Sequence, residues 1–184
     1  MSLVHQSKTP TQEQRDNLLN CYQSGRFNEA ERLAISITHE FPNYQFAWTV
    51  LGAVLKAVGR SSEAVSANQK SVALSPEDAY AHYNLGTTLK EVGRLEEAGK
   101  SFLQAIVLKP DFAEAHNNLG VTAQERNRLE EAIKSYKNAI VLKSDYAQAY
   151  YNLGTVLKER FRTEEAEVNL RHAIALKSDF AEAH

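Results

Sequence analysis

One cysteine, one tryptophan, one methionine and four prolines in 184 residues put several classes of protein out of reach. Cys21 alone supports neither an intrachain disulfide nor a thiolate metal cluster, and its place on an apolar-periodic face makes it a small buried hydrophobe. No apolar run approaches the roughly 18 residues of a membrane-spanning helix, and the first residues lack the apolar core of a signal peptide. A soluble, cytoplasmic chain with no membrane partner is expected. Charge of one sign is also missing: 21 Lys and Arg against 23 Asp and Glu leave a formal charge of -2 with no basic run, which excludes nucleic acid as the expected partner. There is no HExxH, no paired-cysteine motif, no glycine-rich phosphate loop and no nucleophile turn, so no catalytic residue, metal ligand or cofactor is expected, and the chain is read as a non-enzyme.

What the sequence does have is a period. Gly52, Gly86, Gly120 and Gly154 each follow a leucine at 34-residue spacing, as do Ala64, Ala98, Ala132 and Ala166, and Leu74, Leu108, Leu142 and Leu176. Such a period marks stacked copies of one supersecondary unit, each packing on its neighbours. The frame places five units at 11–44, 45–78, 79–112, 113–146 and 147–180. Residues 1–10 form a disordered lead or tag, and 181–184 open a truncated sixth unit.

Within the third unit, His82, Leu85, Gly86 and Leu89 follow the i, i+3, i+4, i+7 spacing of one helix face, and Leu95, Ala98, Phe102, Ala105 and Leu108 form a second such face. Each unit is therefore two antiparallel helices. With positions counted 1 to 34, position 15 holds Gly25, Gly59 and Gly93, then Asn127 and Phe161. Glycine suits a left-handed helix end and asparagine tolerates it, whereas phenylalanine there implies either a different turn or strain. Pro42, Pro76 and Pro110 at position 32 stop the second helices, with Ser144 and Ser178 in the later units. Thr9 followed by Pro10 and Gln12 predicts a first helix starting near Pro10. Small residues at positions 8 and 20 are expected to let helix backbones approach closely. The pairs Glu96-Glu97, Glu130-Glu131 and Glu164-Glu165 sit in first helical turns, where they complement the helix dipole rather than form a catalytic carboxylate pair.

Trp48-x-x-Leu51-Gly52, Arg94-Leu95-Glu96-Glu97-Ala98 and Leu108-Lys109-Pro110 resemble the tetratricopeptide repeat, and the likeness covers residues 11–180. Asn17-Leu18 departs from it in the first unit, and Phe161 in the fifth. The run Leu108 to Gly120 is similar, more narrowly, to the repeats of O-linked N-acetylglucosamine transferases and of bacterial multidomain proteins with an appended transferase domain. The resemblance implies an all-α fold, a right-handed superhelical solenoid of antiparallel helix pairs. It also implies a protein-interaction module, the recognition part of a larger protein, that takes an extended peptide or partner protein in its concave groove.

First helices line that groove through positions 2, 5, 6, 9, 12 and 13, from which the candidate peptide-binding residues are drawn. They are Tyr80, Tyr83, Asn84, Thr87 and Lys90 in the third unit, Asn117, Asn118 and Gln124 in the fourth, and Tyr151, Asn152, Thr155 and Lys158 in the fifth. Asn84, Asn118 and Asn152 share position 6, where Val50 breaks the column in the second unit. Their amides can either hold a peptide backbone or brace neighbouring repeats. Lysine at position 12 fits an acidic ligand or a solvated face. His82, His116 and His184 share position 4 with Trp48 and Tyr150, which makes them wedged planar groups rather than metal ligands. Association with copies of itself is the alternative role, through Leu170, Ala173, Ile174 and Leu176 at an uncapped C-terminal end.

Overall fold

The computed structural model describes residues 9–182, and side chains through residue 177. The expected disordered lead falls mostly on residues 1–8, outside the described residues, as do residues 183–184 of the expected sixth unit. The described residues form ten α-helices in two compact units, residues 1–92 and 93–184.

The first unit holds α1 (Gln12–Gln23), α2 (Phe27–Glu40), α3 (Gln45–Ala57), α4 (Ser61–Leu74) and α5 (Ala79–Glu91). Each packs on the next along the chain, and α1 with α3 and α3 with α5 also touch directly. Connections of a few residues between long helices force antiparallel neighbours. The core is a run of small and branched side chains, Leu18, Ala30, Ala34, Ile37, Ala47, Val54 and Ala64 among them. The second unit holds α6 (Leu95–Leu108), α7 (Ala113–Glu125), α8 (Leu129–Leu142), α9 (Ala147–Glu159) and α10 (Thr163–Glu182), again with sequential packing plus direct contact of α7 with α9. Ala132, Tyr136, Leu153, Val156 and Leu157 are at its centre.

Three sequence expectations are corrected. The first helix is capped two residues later than Thr9: Thr11 Oγ1 accepts from the Gln14 backbone N–H at 3.2 Å, and Gln14 Oε1 accepts from the Thr11 N–H at 2.8 Å. The Thr-x-x-Gln spacing occurs twice in this stretch, and the copy beyond the buried Pro10 is used. The second correction is at Ser178, where α10 continues through Glu182 instead of stopping. Serine, unlike proline, does not bar a helix, and whereas α9 docks on α8 after Ser144, no helix follows α10 among the described residues. The third concerns the glycines at position 8. A Cβ on Gly120 would lie 2.6 Å from Tyr136 Cε1, and one on Gly154 would lie 2.7 Å from Leu170 Cγ, so these glycines admit the position-24 side chain of the following helix more than its backbone.

At position 15 the open question at Phe161 resolves as strain. Gly25, Gly59 and Gly93 have φ of 70°, 79° and 76°, Asn127 57° and Phe161 58°, so one turn geometry recurs whatever the residue. The Phe161 side chain is 92% exposed and draws no packing from the turn it strains.

Candidate binding surface

In the first unit the groove-facing sides of α1, α3 and α5 enclose a cleft of about 300 Å³. Tyr22 of α1 closes one side and Tyr83, Asn84 and Thr87 of α5 another, with Ala53 and Lys56 of α3 between them. Three expected binding residues are thus brought together. Lys56, one of the position-12 lysines, joins them, and two lining residues were not expected: Tyr22 and above all Asn68 of α4, which forms part of the wall although it belongs to a second helix.

Asn68 is 2% exposed. Its Nδ2 donates to Thr88 Oγ1 at 2.9 Å, and the Thr88 hydroxyl in turn donates to the Asn84 carbonyl at 2.9 Å. Its Oδ1 stands over Gly52, where any Cβ would collide with it, and accepts no hydrogen bond among the described residues. Lys56 is not available as a general anion site, because Nζ pairs with Glu91 at 3.1 Å. Tyr80, at the start of α5, is 54% exposed.

The second unit fills the same repeat position differently. Tyr136 is completely buried, its ring lying over Gly120, and its hydroxyl donates to Gln124 Oε1 at 2.9 Å. Burial, and then the negative charges of Glu125 and Glu159, push the phenol above its ordinary value. Gln124 Nε2 donates to Glu159 at 2.8 Å, so position 12 ties to position 13 of the following repeat just as Lys56 ties to Glu91. Asn117, expected in the open groove, is only 4% exposed: α9 packs against α7 there, and Asn117 Oδ1 accepts from Asn152 Nδ2 at 3.0 Å. Asn152 Oδ1 accepts from Gln148 at 2.9 Å, so both ends of the Asn152 amide brace the fold. Asn118 is half-buried and its carbonyl accepts from Thr122 at 2.8 Å. Tyr151 is 51% exposed, the Thr155 hydroxyl donates to the Tyr151 carbonyl, and Lys158 is exposed.

The position-4 groups have a role that periodicity alone did not reveal. Trp48 Nε1 donates to the Pro42 carbonyl at 2.9 Å, and His82 and His116 meet the Pro76 and Pro110 carbonyls at 2.9 and 3.2 Å. A ring N–H thus ties α3, α5 and α7 to the carbonyl of the proline six residues before it; His184 lies outside the described residues. The acidic pairs divide their work. Glu97 and Glu165 take two-pronged hydrogen bonds from Arg94 and Arg162, which hold these carboxylates below their ordinary range. Glu96 pairs with Arg126, and Glu130 with Arg160 at 3.2 Å, reaching the following repeat. No helix among the described residues is long and apolar enough to cross a membrane.

Family models agree with this architecture. A TPR repeat model matches residues 86–125 and 124–160, and two tetratricopeptide repeat models match 67–100 and 147–177. No curated protein matches the chain. Among solved structures, a crystal structure of MamA is similar with TM-score 0.83 at 23% identity, over 89% of this chain and 95% of that one. MamA 41-end from Desulfovibrio magneticus RS-1 gives 0.84 at 20% identity, over 91% and 94%. YrrB, described as a TPR protein with an unusual peptide-binding site, gives 0.77 at 19% identity, over 95% and 89%.

Proposed function

The chain belongs to the tetratricopeptide-repeat family, and on that premise we propose that it is a protein-interaction module whose first helices hold an extended segment of a partner. It acts by binding rather than by catalysis. The cleft of the first unit carries this reading: Tyr83, Asn84 and Thr87 converge with Tyr22 and Lys56 on an accessible recess that mixes aromatic surface with amide and hydroxyl groups. That mixture suits a peptide, whose backbone needs donors and acceptors and whose side chains need apolar contact. In the second unit the exposed Tyr151 ring, Asn118 and Lys158 are the groups proposed to meet the same segment. YrrB, similar in fold, is itself described by its peptide-binding site.

The test uses peptides selected from a randomised library by the full chain. Replacing Asn84, Asn118 and Asn152 together by alanine should weaken their binding about tenfold or more, measured by calorimetry. Unchanged affinity with a lowered melting temperature would show that these amides brace the fold and nothing else.

A second reading is association of the chain with copies of itself. Val107, Val141 and Ile174 of the second unit are 70%, 83% and 68% exposed, apolar surface that a second copy could cover. Sedimentation velocity over a hundredfold concentration range checks it, since a single monomeric species throughout would remove it.

A further inference from the structure

Resting on the peptide-binding role proposed above, we infer that the cleft beside Asn68 is a side-chain pocket that selects one residue of the bound segment, a tyrosine. The nearest precedent is inside the molecule. At position 24 the second unit places Tyr136, whose ring is fully buried over Gly120, so this repeat geometry accepts a phenol ring packed on a bare helix backbone. At the same position the first unit has Asn68, a much smaller group, and the recess of about 300 Å³ opens there. That is within the usual range of ligand pockets and large enough for an aromatic side chain.

The chemistry of the walls narrows the occupant. Tyr22 and Tyr83 offer aromatic surface, and Ala53 adds apolar surface between them. The polar chain runs one way: Asn68 donates to Thr88, which donates to the Asn84 carbonyl. Its unused end is an acceptor, Asn68 Oδ1, on a side chain 98% removed from solvent. A ligand with a donor at the tip of a planar apolar body, as a phenol has, satisfies that acceptor while covering the aromatic and apolar walls. Phenylalanine leaves the acceptor unmet. A carboxylate would have to compete with Glu91 for the Lys56 ammonium. A lysine or arginine would have to lose its hydration against a neutral amide.

The experiment is selection of a randomised heptapeptide library on the intact chain and on Asn68→Phe, which fills the recess as Tyr136 fills its counterpart. Wild type should enrich tyrosine at one position, and Asn68→Phe should lose that enrichment while still retaining peptides. In a selected peptide, Tyr→Phe should weaken binding about fivefold, the effect of one net hydrogen bond. Should Asn68→Phe fold poorly, adding the same peptide to the labelled wild type must shift the Asn68 side-chain amide and Thr88 resonances. Enrichment of other residue types, of tyrosine equally on both proteins, or binding that leaves those resonances unmoved overturns the pocket and spares the peptide groove. Failure to enrich any peptide overturns both.

Discussion

At one and the same place in the repeat, the second unit lays the Tyr136 ring over Gly120, and the first unit sets the Asn68 amide over Gly52 and leaves a cleft beside it. The backbone arrangement is alike, a bare glycine on a first helix facing position 24 of the second. What differs is whether the chain supplies a large side chain there. A filled slot adds to the core through buried apolar area and one hydrogen bond to Gln124. A half-filled slot gives up that packing and keeps surface a partner can use. In a stacked architecture the choice can be made repeat by repeat, because each repeat contacts only its neighbours.

Tyr136→Ala breaks the comparison most severely. Removing a fully buried ring should cost about 3–5 kcal/mol in denaturant unfolding, with the loss in the second unit. Next comes the pair of glycines. Gly120→Ala drives a Cβ to 2.6 Å from a rigid, enclosed ring and should cost about 1–3 kcal/mol. Gly52→Ala pushes against the end of an amide with open space beside it and should cost less than about 1 kcal/mol. Equal costs would mean that the cleft does not relax.

Tyr136→Phe, which keeps the ring, should cost about 1 kcal/mol through the hydrogen bond to Gln124. It also removes a pH dependence. The folded phenol is raised above its ordinary value near 10, so the stability it contributes is complete below that pH and is lost as pH rises towards the folded value. Wild type should weaken over that alkaline window and Tyr136→Phe should weaken less. The smallest effect concerns the turns, all glycine in the first unit but Asn127 and Phe161 further along. Phe161→Gly should stabilise the second unit by about 0.5–1 kcal/mol, since it relieves a left-handed backbone at a side chain that packs on nothing. Thermal melting checks it.

Much of this was legible in the sequence. The 34-residue spacing located the helix pairs, and Gly25, Gly59 and Gly93 marked turns whose positive φ the structure has. Tyr83, Asn84 and Thr87 were legible as neighbours on one helix face, and they line one cleft. What periodicity did not reveal depends on which positions meet between helices. Asn68 stood in view as the odd residue in a column of Phe102, Tyr136 and Leu170, but its meaning needed the knowledge that position 24 packs on position 8. Asn117 follows the groove pattern yet is covered by α9, because helix-to-helix contact within the second unit reaches position 5. The ring-to-proline ties were hidden for a similar reason: the repeat spacing explained the shared position without indicating a partner six residues upstream.

One of those ties makes the molecule its own instrument. Trp48 is the only tryptophan of the chain, half-buried, with its indole N–H on the Pro42 carbonyl between α2 and α3. Its fluorescence therefore reports the junction of two helices of the first unit and is blind to the second, where Tyr136 and its neighbours are the chromophores. Exciting tryptophan alone and comparing its transition with the helical circular dichroism signal would tell, without a label, whether the unit that carries the cleft unfolds together with the unit in which Tyr136 fills the equivalent slot.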